Sequence, residues 1–305
     1  MHRDLDASGF EFLKAPDFVP DERVRSAHYS WSNQPKMNGN MPAVGGQLVF
    51  RIRGASSVQY PGREPFRSQP GECYFIAPST QAADLEIVGS AHAVGLGFSE
   101  LGWAELTGLH VDEVKNSVIA ARDVFGDEID RLSQELLREY ADGSVNSIQI
   151  AQRMLAFIEP RFTRLPDRKR RLIQTTRAWA TNELMPDVAE LYGALHFSER
   201  QVQRYVRRYF GQSPVQVAKR LRAAFAASAL NQQNLDEELS DEIADSYYDQ
   251  SHLIREVKSA TGTTPSRLGK REGSLISGIL NSDGFLHDEG HVRKIGRMRS
   301  GRDQD

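Results

Sequence analysis

The chain has 305 residues, 39% of them hydrophobic and 26% charged, with a net charge of −3, the profile of a globular protein long enough for two cores. One cysteine, Cys73, excludes an internal disulfide and a cysteine-built zinc site. No apolar run approaches a bilayer span and no charged start leads into an apolar signal core, so a cytoplasmic protein without a membrane partner is expected.

Residues 24 to 100 read as short strands divided by turns. Gln47 to Arg53 is rich in β-branched and aromatic residues and is expected to end at Gly54. Ser56 to Tyr60, Glu72 to Ala77 and Ala91 to Phe98 follow the same pattern, with Pro61-Gly62, Pro70-Gly71 and Pro78 between them. Strands at this spacing predict a small β-barrel or jelly-roll-like domain. Ser99 to Gly108 reads as a helix. Asp127 to Tyr140 is an amphipathic one, with Ile129, Leu132, Leu136 and Leu137 on one face, and another covers about 147–159. The basic run from Arg161 to Arg171 marks a composition shift and is taken as the domain boundary. From there to about 272 everything reads as helix and turn.

The predicted fold class is therefore α+β. It has a β-rich domain over 1–160, an all-α domain over 161–272, and a disordered tail over 273–305 whose Arg293, Lys294, Arg297 and Arg299 could touch DNA. Charge divides along the same lines. Residues 1–160 carry 14 basic against 22 acidic side chains, and residues 161–272 carry 19 against 14. A basic module joined to an acidic one suits a nucleic-acid binder whose other half must not stick to phosphate.

Within the helical half, one pattern is written twice, 51 residues apart. Ser198 matches Asp249, Val202 matches Leu253, Arg204 matches Arg255, Val206 matches Val257 and Gly211 matches Gly262. Each copy opens on an N-cap residue type and stops at a glycine able to take the left-handed conformation past a helix end. Ser198 and Gln201 form a capping box that fixes where the first helix starts. Val202, Tyr205, Val206, Tyr209 and Phe210 make a core-facing stripe, opposite Arg200, Gln203, Arg204 and Arg207. The second helix is expected to bury Leu253, Val257 and Ala260 and to display Ser251, His252, Arg255 and Lys258.

A basic stripe opposite an apolar one is usually only a solvated helix face. Here, however, each copy follows a short apolar-periodic segment and a tight turn. Val188, Leu191, Leu195 and Phe197 precede the first; Leu235, Leu239 and Ile243 precede the second. That is helix-turn-helix organisation, repeated. The segment 214–231 between them reads as a rigid connector able to hold two reading helices in successive major-groove segments about 34 Å apart. Arg pairs bidentately with guanine and Gln with adenine in that groove. Arg207, Arg208, Lys219, Arg220 and Lys258 are expected on phosphates.

The strings SERQVQRYVRRYFGQSP (198–214) and YYDQSHLIREVKSATGTTPS (247–266) resemble the C-terminal domain of AraC/XylS-type transcription regulators over about 170–270. The resemblance implies a seven-helix double helix-turn-helix domain that binds double-stranded DNA. Base-contacting positions then fall on Arg200, Gln203 and Arg204, and on Gln250, Ser251, His252 and Arg255. Residues 28–31, 46–50 and 94–98 are similar to the β-rich sensor domain of such regulators. That implies a half which binds a small-molecule effector, mediates homodimerisation, or both. The chain departs from the pattern at Tyr192 and His196, where a small residue and a Gly are usual. It departs again in an acidic second scaffold helix bearing Asp236, Glu237, Glu238, Asp241 and Glu242, so the second module is expected to bind DNA weakly or indirectly.

Signals for catalysis are weak. His28, His92 and His110 are scattered without metal-ligand spacing, and no phosphate-loop or dinucleotide glycine pattern occurs, so no metal or cofactor is implied. Cys73 lacks the cysteine pattern of alkyl-transfer repair proteins and reads as a buried strand residue. Trp31, Tyr60, Tyr74, Phe75 and Phe98 could line an effector pocket, but aromatics on strands are more often plain core, so no ligand residue is assigned. The expectation is a sequence-specific regulator rather than an enzyme. The rival is a β-domain small-molecule binder or enzyme with a helical dimerisation module.

Overall fold

The computed structural model describes residues 8–14, 17–232, 237–268 and 279–280. Of the expected tail over 273–305, Ile279 and Leu280 are described and lie buried in the core; the rest, with Arg293, Lys294, Arg297 and Arg299, lies outside the described residues, as do Leu235 and Asp236. The strands are β1 (Gly9–Phe12), β2 (Val24–Ser32), β3 (Lys36–Met41), β4 (Gln47–Gln59), β5 (Phe66–Ser68), β6 (Cys73–Ile76), β7 (Ala83–Phe98) and β8 (Val118–Ala120). The helices are α1 (Glu100–Thr107), α2 (Val111–Val114), α3 (Arg122–Phe125), α4 (Asp127–Asp142), α5 (Ser147–Ile158), α6 (Asp167–Ala180), α7 (Val188–Ala194), α8 (Glu199–Phe210), α9 (Pro214–Asn231), α10 (Glu237–Asp245) and α11 (Gln250–Thr261).

All the strands pair antiparallel in one sheet, in the order β1-β2-β7-β4-β6-β8, with β3 on β7 and β5 on β4. Two long strands shape it. β4 does not stop at Gly54: Ser56 to Gln59 belong to the same strand, and the ladder to β7 slips between Arg51 and Ala55. Gly54 and Gly89 lie against each other with φ of 68° and 80°, a backbone open to glycine at little cost. Paired bulges of this kind bend both strands, so the sheet curls over on itself.

Alternation along β4 then separates two interiors. Leu48, Phe50 and Ile52 point into one core with Phe75, Phe98 and Trp103, covered by Ile129 and Leu136 of α4 and Ile150 and Met154 of α5. Cys73 is buried in this core, where desolvation pushes its thiol up to about 12, so it stays protonated and unreactive. Val49 and Val58 point the other way, toward Leu85, Ile87 and Ala93, and this second core runs on into α9, α10 and α11.

Helix α1 joins the β-rich half to the helical one. Trp103 and Leu106 pack into the β-side core, while Leu101 and Ala104 belong to a third core with Leu172, Leu191, Val202, Val206 and Leu221. The helix lies so close to the chain before β2 that a Cβ on Gly102 would meet the Arg23 carbonyl at 2.1 Å. Both halves are thus built around shared helices rather than tethered by a linker.

Candidate nucleic-acid interface

Helices α7 and α8 form the first helix-turn-helix unit, and α10 and α11 the second. Asp187 starts α7 by accepting from the Ala189 amide at 2.9 Å. Ser198 accepts from the Gln201 amide at 3.4 Å while the Gln201 side chain accepts from the Ser198 amide at 3.0 Å, which sets the start of α8. Asp249 caps α11 from the His252 amide at 2.7 Å. The two helices end alike, at Gly211 with φ 75° and Gly262 with φ 76°. The repeat seen in the sequence is therefore a repeat of three-dimensional punctuation.

On α8, Val202, Val206, Tyr209 and Phe210 are buried and Tyr205 is half-buried against Phe197, ring to ring at 5.3 Å. The opposite side is open. Ser198, Arg200, Gln201, Arg204 and Arg207 are all exposed. Two further expected contacts are engaged within the protein: Gln203 donates to the Tyr192 hydroxyl at 3.1 Å, and Arg208 reaches His110 Nδ1 at 3.2 Å. The Gln203 bond explains what Tyr192, a departure from the family pattern, does here, since its hydroxyl steadies a side chain beside the exposed arginines of α8.

On α11, Gln250, Ser251, Arg255 and Lys258 are exposed, Val257 and Ala260 are buried, and Leu253 is half-buried rather than fully buried. His252 turns inward. Its ring lies near Tyr247 and its Nε2 is 3.6 Å from Glu256, which also pairs with Arg222 at 2.9 Å. The exposed side of α10 carries Glu237, Glu238, Asp241, Glu242 and Asp245. Tyr248, immediately before the α11 cap, is 95% exposed.

The β-rich half grips both α8 and α11 at their C-terminal ends. Lys115 donates to the Gly211 carbonyl at 2.6 Å. The Ala43 amide donates to the Ala260 carbonyl at 2.6 Å and the Ala82 amide to the Ser259 carbonyl at 2.8 Å. Donors at these carbonyls complement the negative end of the helix dipole. A second set of contacts fixes α6: Glu105 binds Arg170, and Glu100 binds Arg177 at 2.8 Å. Burial alone would raise the Glu100 carboxyl, but the Arg177 guanidinium outweighs it and holds the group below its ordinary value. His110, Asp112 and Glu113 gather three potential metal ligands, yet the Arg208 guanidinium occupies His110 and disfavours a cation there.

This geometry defines a class: a β-rich half joined to a double helix-turn-helix half. Residues 191–271 match the family described as "Helix-turn-helix domain", and they form a helix-turn-helix domain of the AraC type, the DNA-binding module of transcription regulators. The chain is similar in structure to ToxT from Vibrio cholerae O395, at 8% identity over 76% of this chain and 96% of that one, TM-score 0.43. A structure of ToxT from Vibrio cholerae strain SCE256, described as bound to unsaturated fatty acid, matches at 9% identity over 90% and 99%, TM-score 0.42. A cupin superfamily protein from Desulfitobacterium hafniense matches at 8% identity over 32% and 83%, TM-score 0.25. No curated protein sequence matches the chain. Among the described residues, no helix is long and apolar enough to cross a membrane.

Proposed function

We propose that this protein is a sequence-specific transcription regulator in which α8 and α11 enter successive major-groove segments of double-stranded DNA. The observation that carries the reading is the repeated unit itself: a capped helix with a buried apolar stripe and an exposed polar edge on each copy. Arg200, Gln203 and Arg204 read bases from α8, and Gln250, Ser251 and Arg255 from α11. Arg207, Lys219 and Lys258, all exposed, take phosphates. The first module supplies most of the discrimination, because the acidic side of α10 repels phosphate near the second.

The β-rich half controls this activity by binding a small effector in the curled sheet. Its grip on Gly211, Ser259 and Ala260 gives an occupied and an empty sheet a direct mechanical connection to both reading helices. The test is affinity selection of the full-length protein against fragmented genomic DNA at near-physiological salt. The reading requires enriched sites sharing a motif of adjacent half-turn elements, and Arg204→Ala must degrade that motif. Recovery of random sequence, or an unchanged motif in the variant, overturns it.

A further inference from the structure

The curled sheet holds a partly open cavity of about 80 Å³. Its walls are mostly aliphatic, with Val49, Val58, Leu85 and Ile87 from the long strands. Ile279, which follows the second helix-turn-helix unit, also lines it, so the helical half contributes to its wall. One group does not belong in such walls: Arg51 lines the cavity and is only 5% exposed.

Arg51 has an unusual set of partners. Its Nη2 donates to Ser56 Oγ at 2.9 Å and to the Tyr74 hydroxyl at 3.0 Å, both neutral, and Ser56 is held in turn by Ser68 at 2.8 Å. Its Nε has no hydrogen-bond partner, and no carboxylate pairs with it among the described residues. A guanidinium is a permanent cation, and burying one without an opposite charge is costly. The hydroxyls fix its orientation and leave its charge unanswered. Elsewhere in this molecule the buried arginines Arg170, Arg177 and Arg222 all have carboxylate partners.

We infer that the cavity binds a compact apolar carboxylate, whose carboxyl group pairs with Arg51 and whose hydrocarbon body fills the aliphatic space. One guanidinium among aliphatic side chains matches a single negative charge; a phosphate would need more donors than these walls offer. The volume is about half of the roughly 150 Å³ that holds benzene, so the hydrocarbon body has about three or four carbons at most. A long acyl chain does not fit. His28 also faces the cavity, and burial lowers it to about 4, so it is neutral and adds no second positive charge. This inference deepens the effector reading above and names the ligand class, and its test uses no DNA, so either can fail alone.

The experiment is calorimetric titration and thermal melting of the full-length protein with propionate, butyrate and isobutyrate. Propionamide, butyramide and isobutyramide are the uncharged controls, and oleate is the long-chain control. One of the short acids should bind and raise Tm, with its neutral analogue and oleate binding about tenfold more weakly or not at all. Arg51→Met should lose the acid response while its ligand-free Tm stays equal or rises, because an uncompensated charge has been removed. Equal binding of acids and neutral analogues, no binding by any short acid, or an unchanged acid response in Arg51→Met would each overturn the proposal. The wild-type comparison stands even if the variant fails to fold.

Discussion

The carboxylate of Glu105, completely buried, is bound by the guanidinium of Arg170, 65 residues further along and on the first helix of the DNA-binding half. Arg23 Nε adds a bond at 3.0 Å and the Leu165 amide another at 2.9 Å, so the buried charge is fully answered. Breaking one partner of such a pair strands the other. Glu105→Gln is expected to cost on the order of 3–5 kcal/mol in urea unfolding. Adding Arg170→Met should recover part of that loss. Simple additivity of the two losses would show that the residues do not act as a pair.

Arg204 is exposed on the open side of α8, its guanidinium carbon 5.1 Å from the Tyr205 ring centre. Replacing it with Ala should cost about 1–3 kcal/mol at the cognate site and less on random DNA. Lys219→Ala, by contrast, should weaken both equally and flatten the salt dependence by about one unit of slope. Binding isotherms on both DNAs at several salt concentrations check this. Equal losses for Arg204→Ala on the two DNAs would remove it from the base-reading set.

The acidic side of α10 gives a prediction of the opposite sign. Three charges roughly 10 Å from phosphate, in water-like screening, sum to about 1 kcal/mol of repulsion. Neutralising Asp241, Glu242 and Asp245 together to Asn, Gln and Asn should therefore tighten DNA binding several-fold at low salt. The gain should fade as salt rises. No gain at any salt would show that α10 lies far from the DNA.

His28 makes the fold acid-sensitive. Burial lowers its folded-state value to about 4 from an ordinary 6.5, so below pH 6.5 the unfolded chain binds the proton first. Its contribution is complete above 6.5 and is lost as pH falls toward 4, at most about 3 kcal/mol. Unfolding free energy measured from pH 7.5 to 4.5 should fall, and His28→Gln should flatten the profile over that range. An unchanged slope in the variant would mean that other groups carry it.

What the sequence revealed was local. Ser198 with Gln201, and Gly211 and Gly262, could be read because a cap is satisfied by residues three positions away. The apolar stripe of α8 was legible for the same reason. What escaped was long-range. Gly54 looked like a strand end because nothing nearby shows that Gly89 sits opposite it. Arg170 looked like part of a basic boundary run, and only the fold brings it to Glu105. Arg51 stood unremarked within the Gln47 to Arg53 strand; strand alternation cannot reveal that both faces of β4 are covered.

The Cβ missing from Gly211 would stand 2.9 Å from Val111, and that missing from Gly262 would stand 2.6 Å from Asn40. Helices α8 and α11 are thus each seated on the β-rich half at the last residue, while the positions proposed to read bases occupy the first turns. Twelve residues separate helix start from helix stop in both, a rod about 18 Å long. A rod clamped at one end moves most at the other. A tilt of about 3° at the clamp swings the free end by about 1 Å, a large fraction of a hydrogen-bond tolerance. Holding the helices by their tails leaves the edge proposed to read bases clear of the β-rich half and still aims it.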